Sequence, residues 1–106
     1  MSTSFRRFEM LLPLRFNDGR EVPDELIADT ILGLRQEFGA VSCETQTITG
    51  IWTRDAETFR DELIRVFVDA RDTLASRTFF VEFKEQLKQR FDQIDIWMTT
   101  YPIEVL

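Results

Sequence analysis

The chain has 106 residues, with 13 Lys+Arg against 19 Asp+Glu for a net charge of −6, and is 43% hydrophobic and 30% charged. That balance belongs to an ordinary folded domain and excludes a disordered or fibrous chain. It contains no histidine, which removes Ser-His-Asp and Cys-His triads, histidine-ligated zinc and histidine-ligated haem.

About 100 residues bury a working core without metals or disulfides, so one domain over residues 1–106 is expected, with residues 1–7 loosely ordered. Cys43 is the sole cysteine, so no internal disulfide can form and a cytoplasmic setting is expected. The apolar stretch Met10–Leu14 is too short for a signal or spanning segment, so no membrane partner is expected. An acidic chain lacks the basic patch that a phosphate backbone requires, so no nucleic-acid partner is expected either.

From Phe8 the pattern has period two. Phe8, Met10, Leu12, Leu14 and Phe16 share one parity and predict a strand with one buried face. Pro13, on the other parity, cannot donate to a ladder and marks a bulge or a missing neighbour. Asn17-Asp18-Gly19 ends the strand in a turn. Pro23 suits the first turn of a helix and Asp24 and Glu25 suit its dipole. Leu26, Ile27, Ile31, Leu34 and Phe38 then make one apolar face, and Gly39 stops the helix. Gly33 inside it suggests close packing on the sheet.

Ala40 to Trp52, rich in β-branched residues, reads as a second strand with Gly50 at a bulge or bend. Thr53–Thr58 is a hairpin loop, and Phe59–Ala70 a third strand, with Ile64, Val66 and Val68 alternating against Leu63, Arg65 and Phe67. Asp72 or Thr73 caps a second helix, whose apolar face is Phe80, Phe83, Leu87 and Phe91. A last strand runs from Ile94 to Tyr101, with Pro102 ending or bending it. The order βαββαβ predicts a ferredoxin-like α+β fold: a four-stranded antiparallel sheet with both helices on one face.

The other face of that sheet carries Leu11, Pro13, Arg15, Leu63, Arg65, Phe67, Trp97, Thr99 and Tyr101. This is too apolar for a face left in water, since half-exposed sheets alternate hydrophobic with polar residues. The simplest cover is a second copy of the chain, giving a homodimer. The tail Ile103-Glu104-Val105-Leu106 is a second cover, and a small organic ligand a third. Arg15 and Arg65 among aromatics suit an anionic ligand, and equally suit salt bridges to Asp69, Asp95 or Glu9.

Single reactive groups are sparse. Cys43, with no histidine to activate it, reads as a small buried hydrophobe. Glu62 shares the parity of Ile64 and Val66. A partly buried carboxylate there could act as general acid or base; a strand-end glutamate bonded to Arg60 or a loop amide is the plainer reading. Asp61 and Glu62 point to opposite faces and cannot form a pair. No acidic cluster has calcium-loop spacing and the glycines make no phosphate loop, so no metal or cofactor is expected. Leu63–Val68 does not match the strand motif of RNA-recognition modules.

Gly50-Ile51-Trp52, Arg60-Asp61-Glu62 and Phe91-Asp92-Gln93 resemble short motifs of a bacterial family of small α+β proteins known only as a domain of unknown function. That resemblance carries no activity. It implies that Gly50, Trp52, Glu62 and Gln93 contribute to a shared site. Two main functional readings follow, beside a third, a polypeptide-binding adaptor that adds a strand at a free sheet edge. One is a non-catalytic, self-associating binding domain. The other is a histidine-free enzyme of the dimeric αβ-barrel type, holding a small organic substrate against Phe67, Trp97 and Tyr101 with help from Glu62 or Arg65. A cavity of at least about 300 Å³ with convergent polar groups favours the enzyme; a flat, dry face favours the binding domain.

Overall fold

The computed structural model describes residues 4–106. Its elements are β1 (Phe5–Pro13), α1 (Asp24–Phe38), β2 (Ser42–Cys43), β3 (Ile48–Arg54), β4 (Glu57–Arg71), α2 (Leu74–Arg90) and β5 (Met98–Ile103). The sheet order is β2-β4-β1-β5, with β3 also on β4, and every pairing is antiparallel. This is the ferredoxin-like arrangement with its second strand split in two. β2 pairs with Val66 and Phe67 of β4, and β3 pairs further back along the same edge, from Leu63 to Glu57. The 15-residue β4 therefore has two jobs. Its second half lies in the body of the sheet, and its first half forms a hairpin arm with β3.

The predicted periodicities build the core. Phe8, Met10 and Leu12 of β1 and Ile64, Val66 and Val68 of β4 are all buried, facing Leu34 of α1 and Phe80, Phe83, Leu87 and Phe91 along α2. Phe80 stacks on Phe8 at 4.1 Å and on Phe38 at 5.1 Å between ring centroids, so one ring joins sheet, α1 and α2. Thr73 caps α2 by accepting from the Ser76 N–H at 3.1 Å. Gly39 ends α1 at φ 83°, the left-handed conformation that glycine adopts without a Cβ penalty. Thr30 is fully buried in this apolar layer. Its hydroxyl donates to Leu26 O at 2.7 Å and accepts from Arg90 at 2.8 Å, so the group is satisfied and ties α2 to α1.

Several expectations are corrected. Phe5, Arg6 and Arg7 are not loose: they pair with both β4 and β5, and Arg6 lies 3.2 Å from Asp72. The rest of the segment expected to be loose, residues 1–3, lies outside the described residues. Gly33 does not mark close packing, since a Cβ there would meet nothing within 4 Å. Gly50 makes no bulge; it pairs regularly with Asp61, and a Cβ would come within 3.1 Å of Leu63 Cδ1. The hairpin loop is only Asp55-Ala56, at φ 51° and 64°, which is the two-residue turn whose twist suits a hairpin. Cys43 is exposed rather than buried, because the short β2 lies at the sheet margin. Even so, partial desolvation of the thiol and the neighbouring Glu44 carboxylate push its pKa up, away from reactive thiolate.

The last strand starts at Met98, and Ile94 is exposed before it. Pro102 neither ends nor bends that strand. The bond from Leu11 N to Trp97 O makes the odd residues of β5 the ones that bond to β1, so Pro102 turns its missing donor outward at the sheet edge. The same alternation explains Pro13, whose donor-less nitrogen faces the β5 side beyond the point where pairing with β1 ends, at Met98.

Candidate functional site

The open face of the sheet is not one apolar patch. Its body half, nearest the start of β1, is a charged network. Arg7 donates twice to Asp69, at 2.7 and 2.9 Å, the bidentate geometry that suits guanidinium and carboxylate. Arg65 donates to both carboxylate oxygens of Glu9 and, at 2.6 Å, to Glu44. The Tyr101 hydroxyl also donates to Glu9. Both guanidiniums lie over the Phe67 ring, at 4.4 Å for Arg7 and 4.3 Å for Arg65. Hydrogen bonding to Arg65 holds the Glu9 carboxyl below its usual range despite its burial, and Arg65 is held more firmly protonated in return. Arg65, Phe67, Thr99 and Tyr101 of the predicted face all belong to this half. Arg65 and Tyr101 are both turned onto Glu9, so Arg65 is not free for an anionic ligand.

The other half is apolar and concave. Leu11 and Pro13 of β1, Leu63 of β4 and Trp97 before β5 form a trough with the β3–β4 arm, of about 680 Å³. Trp52 stacks on Phe59 across the arm at 4.4 Å, and its indole N–H donates to Asp61 at 2.6 Å, so the ring is held in one orientation. Ile94 and Trp97 at the rim are 58% and 67% exposed. Leu11, Leu63 and Trp97 are legible from parity. Phe59 and Asp61 share that parity, but their pairing with Trp52 and Gly50 is not legible, because a six-residue loop over Thr53–Thr58 hides the register of the arm.

Most polar groups in the trough already have partners. Asp61 accepts from Trp52. Gln93 donates to Phe91 O at 3.1 Å, and Asn17 reaches Asp92 O at 3.5 Å. Asp95 accepts from its neighbour Ile96 N at 2.9 Å and pairs with Lys84 at 3.1 Å. The surface that remains is largely hydrocarbon and indole.

Of the four motif positions, Gly50, Trp52 and Gln93 come together in this trough. Glu62 does not. It lies on the opposite face of the arm, about half exposed and 3.8 Å from Arg15, because the helices end short of the arm and leave that parity in water. Arg15 has also left the apolar face, bridging to Glu21 beyond the end of β1. A smaller depression of about 250 Å³ holds Arg15, Arg60 and Glu62. The chain's own tail leaves the open face bare, with Val105 and Leu106 exposed. Among the described residues no group of three or more acidic or cysteine side chains is arranged to hold a metal ion, and no helix is long and apolar enough to cross a membrane.

No protein-family model and no curated protein sequence matches the chain. Solved structures with the same fold do exist. A divalent cation tolerance protein, CutA1, from Thermus thermophilus is 16% identical, with 95% of this chain and 85% of that one covered at a TM-score of 0.65. CutA1 from Oryza sativa is 10% identical, with 98% and 84% covered at 0.66. A phage SAM lyase solved with S-methyl-5'-thioadenosine is 15% identical, with 99% and 92% covered at 0.65. At these identities the likeness is one of fold: a small ferredoxin-like α+β chain.

Proposed function

We propose that this protein is a self-associating binding domain of the cytoplasm, dimeric at working concentration, whose contact surface is the apolar half of the open face. The observation that carries the reading is the contrast inside the trough: Asp61, Gln93 and Asp95 already have partners, whereas Ile94 and Trp97 stand in water. Exposed tryptophan beside an aliphatic side chain on a concave surface has the composition of an interface centre. The likeness to CutA1 proteins supports a small domain of this architecture and says nothing of the partner.

The test is molar mass by light scattering after size exclusion. The expected result is a dimer at micromolar concentration that Trp97→Glu converts to a monomer with an unchanged circular dichroism spectrum. A wild-type monomer overturns the reading.

One observation favours a second reading, an enzyme acting on a small organic molecule. The trough exceeds the roughly 300 Å³ that a ligand needs, and one structure of similar fold is a phage SAM lyase holding S-methyl-5'-thioadenosine. In that reading Asp61 and Asp95 are the carboxylates in reach, Glu62 being on the far face. Titration with S-methyl-5'-thioadenosine, followed by tryptophan fluorescence, decides between the two. Saturable quenching that Trp97→Glu abolishes supports the enzyme. A flat response supports the binding domain.

A further inference from the structure

The β3–β4 arm exposes a strand edge as well as an apolar face, and the hydrogen-bond register says which backbone groups are left over. Glu44 N donates to Arg65 O, and Leu14 N to Glu62 O, both at 2.9 Å. Odd residues of β4 therefore bond toward β2 and β3, and even ones toward β1. With Ile48, Gly50, Trp52 and Arg54 opposite Leu63, Asp61, Phe59 and Glu57, the inward-bonding residues of β3 are the even ones. Thr49, Ile51 and Thr53 turn their N–H and C=O groups outward, with no strand beyond them among the described residues.

Sheet edges normally carry lysine, inward charge, a bulge or proline that discourages pairing with another chain. β5 has such a device, since Pro102 turns its missing donor outward. β3 has none. It is seven residues long, regular, and uncharged except for Arg54 at the tip. We infer that the outer edge of β3 is a strand-addition site, and that its occupant is an edge strand of a second copy of this chain.

Charge argues for that occupant. The chain holds 19 acidic residues, yet neither outer strand, β3 or β5, contains one. These are the surfaces on which two copies approach without like-charge repulsion, and main-chain pairing supplies the attraction. The added strand lies beside Ile51 and raises the trough's β3 rim with the neighbour's residues. The trough is thus incomplete in a single copy. The inference rests on the self-association reading but uses a different surface of the arm.

The test separates backbone from side chain at one position. Ile51→Pro deletes an outward N–H while leaving the β3–β4 ladder intact, because that nitrogen donates to nothing within the chain. Ile51→Ala deletes the exposed side chain and keeps the donor. The expected result is that Ile51→Pro weakens association by at least about tenfold in the dimer dissociation constant, whereas Ile51→Ala changes it by less than about threefold. Thr49→Pro, outside the trough, is expected to act like Ile51→Pro and guards against a local folding defect at residue 51. Equal effects of proline and alanine at residue 51, or association untouched by both prolines, overturn the edge. If Trp97→Glu still dissociates the protein in that case, the face reading stands alone. A wild-type monomer overturns both.

Discussion

The two halves of the open sheet face are both built on β1 and β4, yet they solve the same problem in opposite ways. In the body half, the central charges find partners on an adjacent strand: Arg7 with Asp69, Arg65 with Glu9. The face needs less cover there, because its central phenylalanine, Phe67, lies under two guanidiniums. In the arm half, the same parity is occupied by Leu11, Pro13, Leu63, Phe59 and Trp52. Nothing within the described chain lies over them. A sheet face can thus be finished by its own side chains or left for another molecule, and this chain does both within one strand length. The division falls between Arg65 and Leu63 on β4, two residues apart on one face.

The comparison predicts that the body half serves the fold and the arm half serves association. The largest effect should come from Arg65. Arg65→Met keeps much of the stem over Phe67 but removes the cation shared by Glu9 and Glu44, leaving Glu9 without its main partner. The Glu9 side chain is only 18% exposed. Loss of charge-assisted bonds around a poorly hydrated carboxylate should cost about 2–3 kcal/mol in urea unfolding, with no direct effect on the trough. If Arg65→Met unfolds like the wild type but associates differently, the division of labour is wrong.

Glu9→Gln is the milder version, expected to cost about 1–2 kcal/mol near neutral pH, and its pH dependence is the sharper signal. The Glu9 carboxyl titrates lower in the folded protein than in the unfolded chain. Its stabilising contribution is therefore fully present above the unfolded value, near pH ~4.3, and is lost as pH falls through the folded one. Asp72 acts in the same direction: burial opposes its ionisation, but bonds from Arg6 and Arg77 hold its pKa down. Wild-type stability should fall steeply on acidification below about pH 4, and Glu9→Gln should flatten part of that slope. Parallel curves for the two proteins would show that Glu9 does not supply the linkage.

These assignments also measure how much of the molecule is legible in its sequence. The helix-facing side is, because periods of 2 and 3.6 depend only on local geometry: Phe8, Met10 and Leu12, Ile64, Val66 and Val68, and the Phe80–Phe91 stripe all lie where their spacing puts them. The open face is half legible. Parity puts Glu9, Arg65 and Phe67 on it, and a salt bridge from Arg65 to Glu9 is among the pairings that parity allows. Whether charges 56 residues apart meet depends on strand register, which parity does not carry. The arm is least legible. Its turn is Asp55-Ala56, without the glycine that usually marks a two-residue hairpin, so the cross-strand pairings of Trp52 with Phe59 and of Gly50 with Asp61 stay hidden.

That same turn offers the smallest and most diagnostic perturbation. Ala56 sits at φ 64°, where a Cβ crowds the backbone at a cost of roughly 1–2 kcal/mol, and glycine would relieve it. Part of the relief is offset by the greater freedom of glycine in the unfolded chain, leaving an expected gain of about 0.5–1 kcal/mol for Ala56→Gly. Where the gain appears is informative. If the arm folds with the body as one cooperative unit, the global melting temperature rises. If the arm opens on its own, global unfolding is unchanged and only amide exchange in β3 and the first half of β4 slows. The first outcome makes the arm a rigid extension of the sheet that presents Trp52 in a fixed place; the second makes it a segment ordered in full only when a partner strand or face meets it.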